Sequence, residues 1–245
     1  MTALRVFLLV SAVSVAGAIL WLVMRWPPGI ASHLAGAAII LSGAAAAMAP
    51  FVRTVGWTRA LVAAVGTSVI GGAAELGGLY QGAFGDYVYT DAWEPSIDLP
   101  GGLTYPLLLP VVWFIILGAC YSYARQRVRP AFAVIAGAIL ATLVDLVAEA
   151  VLTGPVGFWF WLEPTPLLGA PLLNPVYWLI TGAAGCGWLA FVCGRTVPRG
   201  HEGQWMLVAT LTGVAVIGGT HGEPRGLWAL VLVPAILAWR EPKEA

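Results

Sequence analysis

Three carboxylates stand inside otherwise apolar runs of this chain: Glu75, Asp145 and Glu149. An ionised Asp or Glu near the centre of a membrane helix costs about 2.5–3.5 kcal/mol on insertion scales, so such residues are retained for a function. Asp145 and Glu149 are four positions apart and share one helix face. At a rise of about 1.5 Å per residue, Glu75 lies roughly 7 Å from the outer end of its run, Glu149 roughly 6 Å and Asp145 roughly 12 Å. No Arg or Lys stands at comparable depth. A protonated carboxylic acid in a water-poor pocket is a proton donor, and an ionised neighbour can orient or deprotonate water. The three are therefore candidate catalytic acids and bases. The competing reading is that they hydrogen-bond to Tyr, Trp or Ser/Thr partners and only hold helices together.

Aromatic residues follow both acidic segments. After Glu75 comes Gly82-Ala-Phe-Gly85-Asp-Tyr-Val-Tyr89; after Asp145 and Glu149 comes Gly154-Pro-Val-Gly157-Phe-Trp-Phe-Trp161. Both read Gly-x-x-Gly-x-aromatic-x-aromatic. Further on, Pro110-Val-Val-Trp113 matches Pro175-Val-Tyr-Trp178. Two motifs in the same order point to a duplication, with units at about 58–124 and 131–193 in one membrane domain, 1–245. Copies in the same orientation make a parallel repeat. Such units can pair face to face, with their loops meeting over a shared cavity. Tyr80, Tyr87, Tyr89, Trp113, Trp159, Trp161, Asn174 and Trp178 are the candidate substrate-binding residues. Interfacial aromatic belts produce a similar enrichment, but aromatic faces also suit a long polyene and stabilise a passing carbocation.

The scaffold that must position these groups is helical and lipid-solvated. The chain has 245 residues, 60% hydrophobic and 10% charged, whereas a soluble domain carries about 25% charged residues. Runs approaching or exceeding the length of a membrane span, about 20 residues, occur at about 4–24, 31–51, 58–80, 105–124, 131–153, 173–193 and 204–220, with a shorter one at about 226–239. The class is thus all-α and polytopic, with about eight transmembrane helices (seven or eight). Eight spans place Arg5, Arg53, Arg59, Arg125, Arg127, Arg129, Arg195, Arg199, Arg240 and Lys243 on one side, against Arg25 and Arg225 on the other. Basic loops face the cytoplasm, so a multi-pass protein of the cell membrane with both termini cytoplasmic is expected. The loops 81–104 and 154–172, which lack any base, then lie outside.

Composition also excludes functions. Zero formal net charge and no basic patch argue against nucleic acid. The single lysine, Lys243 in the C-terminal tail, excludes a retinal Schiff base within the bundle. His33, His201 and His221 have no metal-ligand spacing with the acids, so no metal is expected. Diphosphate chemistry would want Asp-rich Mg²⁺ sites with a cation nearby, and the Asp86–Asp91 loop has none.

The residues Glu75, Gly82, Gly85, Tyr87, Tyr89 and Thr90, then Pro106, Pro110 and Trp113, resemble the carotenoid biosynthesis membrane-protein family. So do Asp145, Trp159 and Trp161, followed by Gly169, Pro171, Asn174 and Trp178. The resemblance covers about residues 60–195. That family includes CruF-type carotenoid 1′,2′-hydratases and bisanhydrobacterioruberin hydratases. It implies a cofactor-independent hydro-lyase that adds water across the terminal C1–C2 double bond of an acyclic carotenoid such as lycopene or a γ-carotene-like compound. The expected partners are that carotenoid, water and the bilayer, with self-association left open. A proton-coupled transporter or flippase of a lipid-like solute is the alternative, because repeats and intramembrane acids also mark transporters.

Overall fold

The computed structural model describes residues 2–24 and 30–239. These form α1 (Ala3–Val23), α2 (Ile30–Gln81), β1 (Tyr87–Tyr89), β2 (Ser96–Leu99), β3 (Leu103–Pro106), α3 (Leu109–Arg125), α4 (Pro130–Thr153), β4 (Trp159–Trp161), α5 (Leu173–Cys193) and α6 (Glu202–Thr220). A 3₁₀ turn (Pro224–Trp228) then leads into α7 (Ala229–Ala238). Five of the helices, α1, α2, α4, α5 and α6, are long and apolar enough to cross a membrane. The protein is a mostly helical membrane protein.

α2 is too long for one crossing. Its 52 residues would extend about 78 Å, more than twice the hydrocarbon thickness of about 30 Å. It breaks at Gly56 (φ 79°, ψ 167°), a backbone region open to glycine because it lacks a Cβ. Before the break, Ala47 and Phe51 lie beside Gly118 of α3; after it, Gly71 and Gly72 lie beside Trp113 and Pro110 of the same helix. The two arms thus run in opposite senses along α3. The expected runs 31–51 and 58–80 are the arms of this helical hairpin. The small residues of the first arm are packing residues: Ala46 and Ala47 are buried, and Gly43 abuts Ile115 and Phe7.

Arg53, Arg125, Arg127, Arg195 and Arg199 collect at one end of the bundle, whereas Arg225 stands in the 3₁₀ turn at the other. Arg53 Nη2 donates to the Arg199 carbonyl (2.8 Å) and pairs with Glu202 (2.7 Å). Arg125 Nη2 donates to the Arg195 carbonyl (3.2 Å), and Arg127 Nε to that of Trp239 (2.6 Å). Arg25, Arg240 and Lys243 lie outside the described residues. The 3₁₀ turn and α7 run from the far end, where Gly226 abuts Gly218, back to this one, where Tyr123 donates to the Ile236 carbonyl (2.5 Å). α7 alone, at 10 residues, is about 15 Å long, half a bilayer core.

The far end carries strands within the otherwise helical architecture. β1 and β4, one from each long loop, pair antiparallel with Tyr87 opposite Trp161, Val88 opposite Phe160 and Tyr89 opposite Trp159. β2 and β3 form a hairpin beside them. The sequence shows the aromatic alternation of these segments, but pairing between loops about seventy positions apart is a tertiary event.

Candidate active site

Glu75 lies in the second arm of α2, one turn beyond Gly71. A Cβ at Gly71 would run into the Trp113 indole, so it is the absent side chain that lets this ring lie against the helix. Trp113 Nε1 then donates to Glu75 Oε1 (2.9 Å). Tyr87 and Tyr89 alternate along β1, and alternate strand residues share a face. Both hydroxyls donate to Glu75 Oε2, each at 2.8 Å. Burial first, and the Glu75 charge second, push both phenols above their ordinary range; they remain O–H donors.

The second half is built the same way on α4. Trp159 Nε1 (2.9 Å) and Trp161 Nε1 (2.5 Å), alternating along β4, both donate to Glu149 Oε1. Asn174 Nδ2, at the start of α5, lies 3.4 Å from Glu149 Oε2 and 3.0 Å from Asp145 Oδ2. Each glutamate therefore takes two donors from the aromatic pair of its own loop. A carboxylate buried without partners costs several kcal/mol; hydrogen bonds to a charged group return about 1.5–3 kcal/mol each.

These residues converge. Glu75, Tyr87, Tyr89, Trp113, Asp145, Glu149, Trp159, Trp161, Asn174 and Trp178 all line one cavity of about 70 Å³ beneath the paired strands. Glu149 is fully buried and Asn174 nearly so. Trp113 and Trp178 stack with centroids 3.9 Å apart and form one wall. Tyr80 is not among the lining residues; it is half exposed, with its hydroxyl 3.4 Å from the Pro100 carbonyl. Phe84, Trp93, Leu109, Val112, Ile116 and Leu152 also line the space and were not among the expected site residues. Leu109, Val112 and Ile116 follow helical spacing on the face of Trp113, a signal the sequence carries. Trp93, packed on Phe158 at 4.6 Å, has no comparable signature.

The arrangement offers carboxylates held by directed donors, an apolar stripe and aromatic walls. The family model described as "Carotenoid biosynthesis protein" matches residues 35–239. This chain belongs to the carotenoid biosynthesis protein family. No curated protein and no solved structure matches it. Membership gives it a role in carotenoid biosynthesis, and the match includes every lining residue of the cavity. A carotenoid is a long hydrocarbon, and the cavity is far below the roughly 300–1,000 Å³ of pockets that engulf a ligand. It has room for the tip of a chain or a few waters, not for a whole polyene.

Proposed function

We propose that this protein is a carotenoid hydratase. It adds water across the terminal C1–C2 double bond of an acyclic carotenoid, lycopene or γ-carotene-like, and leaves a tertiary alcohol. The observation that carries the reading is the convergence of Glu75, Asp145 and Glu149 on one small cavity with an apolar and aromatic lining. Hydrating an isolated trisubstituted alkene needs a positioned acid, a way to steady a tertiary cation and one water. The carboxylates supply the first two together with the aromatic faces, and the carboxamide of Asn174 and the hydroxyl of Tyr87 are placed to hold the third. The polyene extends from the acids along the Leu109–Val112–Ile116 stripe.

In this reading the protein crosses the cell membrane eight times with both termini cytoplasmic. The turn and α7 together make the last crossing, and the paired loops lie outside. The two units, about 58–124 and 131–193, are a duplication whose loops meet over the shared site. The symmetric register of β1 with β4 supports this. So does the stacking of Trp113 on Trp178, which hold matching places in the two Pro-Val-x-Trp motifs.

The test is expression in a lycopene-producing host, with mass spectrometry of the pigments. A gain of one water mass per modified end is expected. Unchanged masses across several acyclic carotenoids would sink the proposal.

A further inference from the structure

We infer that Asp145 is the proton donor of this site, an assignment that rests on the hydration reading. The two halves of the cavity match closely except where Asp145 stands. Val88 and Phe160 face each other at the centre of the β1–β4 pair, with Tyr87 opposite Trp161 and Tyr89 opposite Trp159. Swapping the two units reproduces the same pairing, the relation of a local two-fold. Glu75 with its two tyrosines and Glu149 with its two tryptophans are counterparts under it.

One turn below Glu149 is Asp145. One turn below Glu75 is Gly71, covered by the Trp113 ring. The same break appears on the returning helices. Asn174 directly precedes the motif Pro175-Val-Tyr-Trp178, and its counterpart before Pro110-Val-Val-Trp113 is Leu109. Asp145 and Asn174 are thus a polar pair where the other unit has Gly71 and Leu109. The broken two-fold gives the cavity a polar half and a hydrocarbon half.

Hydrogen-bond capacity singles out the same residue. A carboxyl group offers about four acceptor positions. Among the described residues, Glu75 receives three side-chain donors, and Glu149 three. Asp145 receives one, on Oδ2, from Asn174. Its Oδ1 takes no hydrogen bond from a described residue, although the residue is only 7% exposed and lines the cavity. An acid that protonates substrate needs an oxygen whose O–H can point at the reacting carbon, and Oδ1 is that oxygen.

The step balances without an oxidant or reductant. The alkene π pair takes the Asp145 proton, forming a C–H bond at the less substituted carbon and leaving a tertiary cation. A lone pair of water forms the C–O bond. The surplus proton of that water returns to the Asp145 carboxylate, and the acid is restored. Glu75 and Glu149, each held by its own donors, position the aromatic walls around the cation.

The test compares D145N, D145E, E75Q and E149Q with wild type in the lycopene-producing host. Wild type must form hydrated product; if it does not, the hydration reading fails, whatever the variants do. Given that product, D145N is expected to lose turnover by about 100-fold or more, the usual contribution of a general acid, while the purified protein still carries carotenoid absorbance. D145E is expected to recover part of the turnover. Turnover by D145N within about threefold of wild type overturns the assignment, since a general acid contributes far more. A second measurement needs no variant. Dicyclohexylcarbodiimide reacts with protonated carboxyls in apolar surroundings, and peptide mapping of the wild-type protein is expected to find the adduct on Asp145. An adduct on Glu75 or Glu149 instead overturns the assignment.

Discussion

Trp113 and Trp178 stack with ring centroids 3.9 Å apart and planes 19° from parallel. They come from α3 and α5, and the two carboxylates are supported differently: Trp113 Nε1 donates to Glu75, while Asn174 Nδ2 donates to Glu149. Trp113→Phe keeps an aromatic face and removes that donor. Losing a hydrogen bond to a charged group costs about 1.5–3 kcal/mol, so thermal unfolding in detergent is expected several degrees below wild type. A melting temperature equal to wild type would mean that this bond carries no stability.

Close approach at Gly71 is testable by a single methyl group. Gly71→Ala drives a Cβ into the Trp113 ring, whereas a Cβ at Gly77 meets nothing within 4 Å. Overpacking of this kind costs about 1–3 kcal/mol, while alanine in open helix gains up to about 1 kcal/mol over glycine. The two variants should shift the melting temperature in opposite directions. Gly71→Ala should also lose hydrated product along with Trp113→Ala.

Pairing of the two loops can be trapped covalently. Val88 and Phe160 are directly opposed and outward-facing, and their neighbours Thr90–Phe158 and Asp86–Leu162 carry ladder hydrogen bonds. That makes Val88–Phe160 a hydrogen-bonded pair, with a Cα separation of about 5.5 Å, within disulfide range. The V88C/F160C double variant is expected to form an intramolecular disulfide on mild oxidation, seen by mass spectrometry of the digest. In intact cells, V88C alone should react with a membrane-impermeant thiol reagent; protection there would reverse the proposed orientation.

The phenol network sets an alkaline limit. Tyr87 and Tyr89 are raised above the ordinary tyrosine value, by burial and then by the Glu75 charge, and Tyr105 is pushed up to about 12 by the same two causes. A phenol raised in the folded state contributes stability that is fully present below its unfolded pKa, about 10, and is lost as pH climbs through the folded value. Melting temperature should therefore be insensitive to these groups between about pH 7 and 9 and fall above about 10. In Y87F/Y89F that alkaline fall should be shallower. An equally steep fall in the double variant would assign it elsewhere.

The carboxylates and their aromatic companions were legible in the sequence, because each is a local contrast: a charge in an apolar run, or an alternation of period two. Ten of the eleven expected site residues line the cavity. Tyr80 does not, because a residue five positions after Glu75 lies about 140° round the helix from it. The arginines likewise gave the ends of the bundle, since charge is excluded from lipid wherever the helices pack.

The sequence by itself determined a lipid-solvated helical protein, the places where polar chemistry enters it, and a doubled loop motif. It did so because the cost of polar groups in hydrocarbon depends on residue type and depth, not on neighbours. The tertiary structure alone decided which donors each glutamate receives, that the chain reverses at Gly56, and that β1 pairs with β4 so both aromatic pairs point inward. It also decided that Asp145 has one hydrogen-bond partner among the described residues. Hydrogen bonds and stacking act over about 3–4 Å, and residues seventy positions apart reach that range only when the helices have packed.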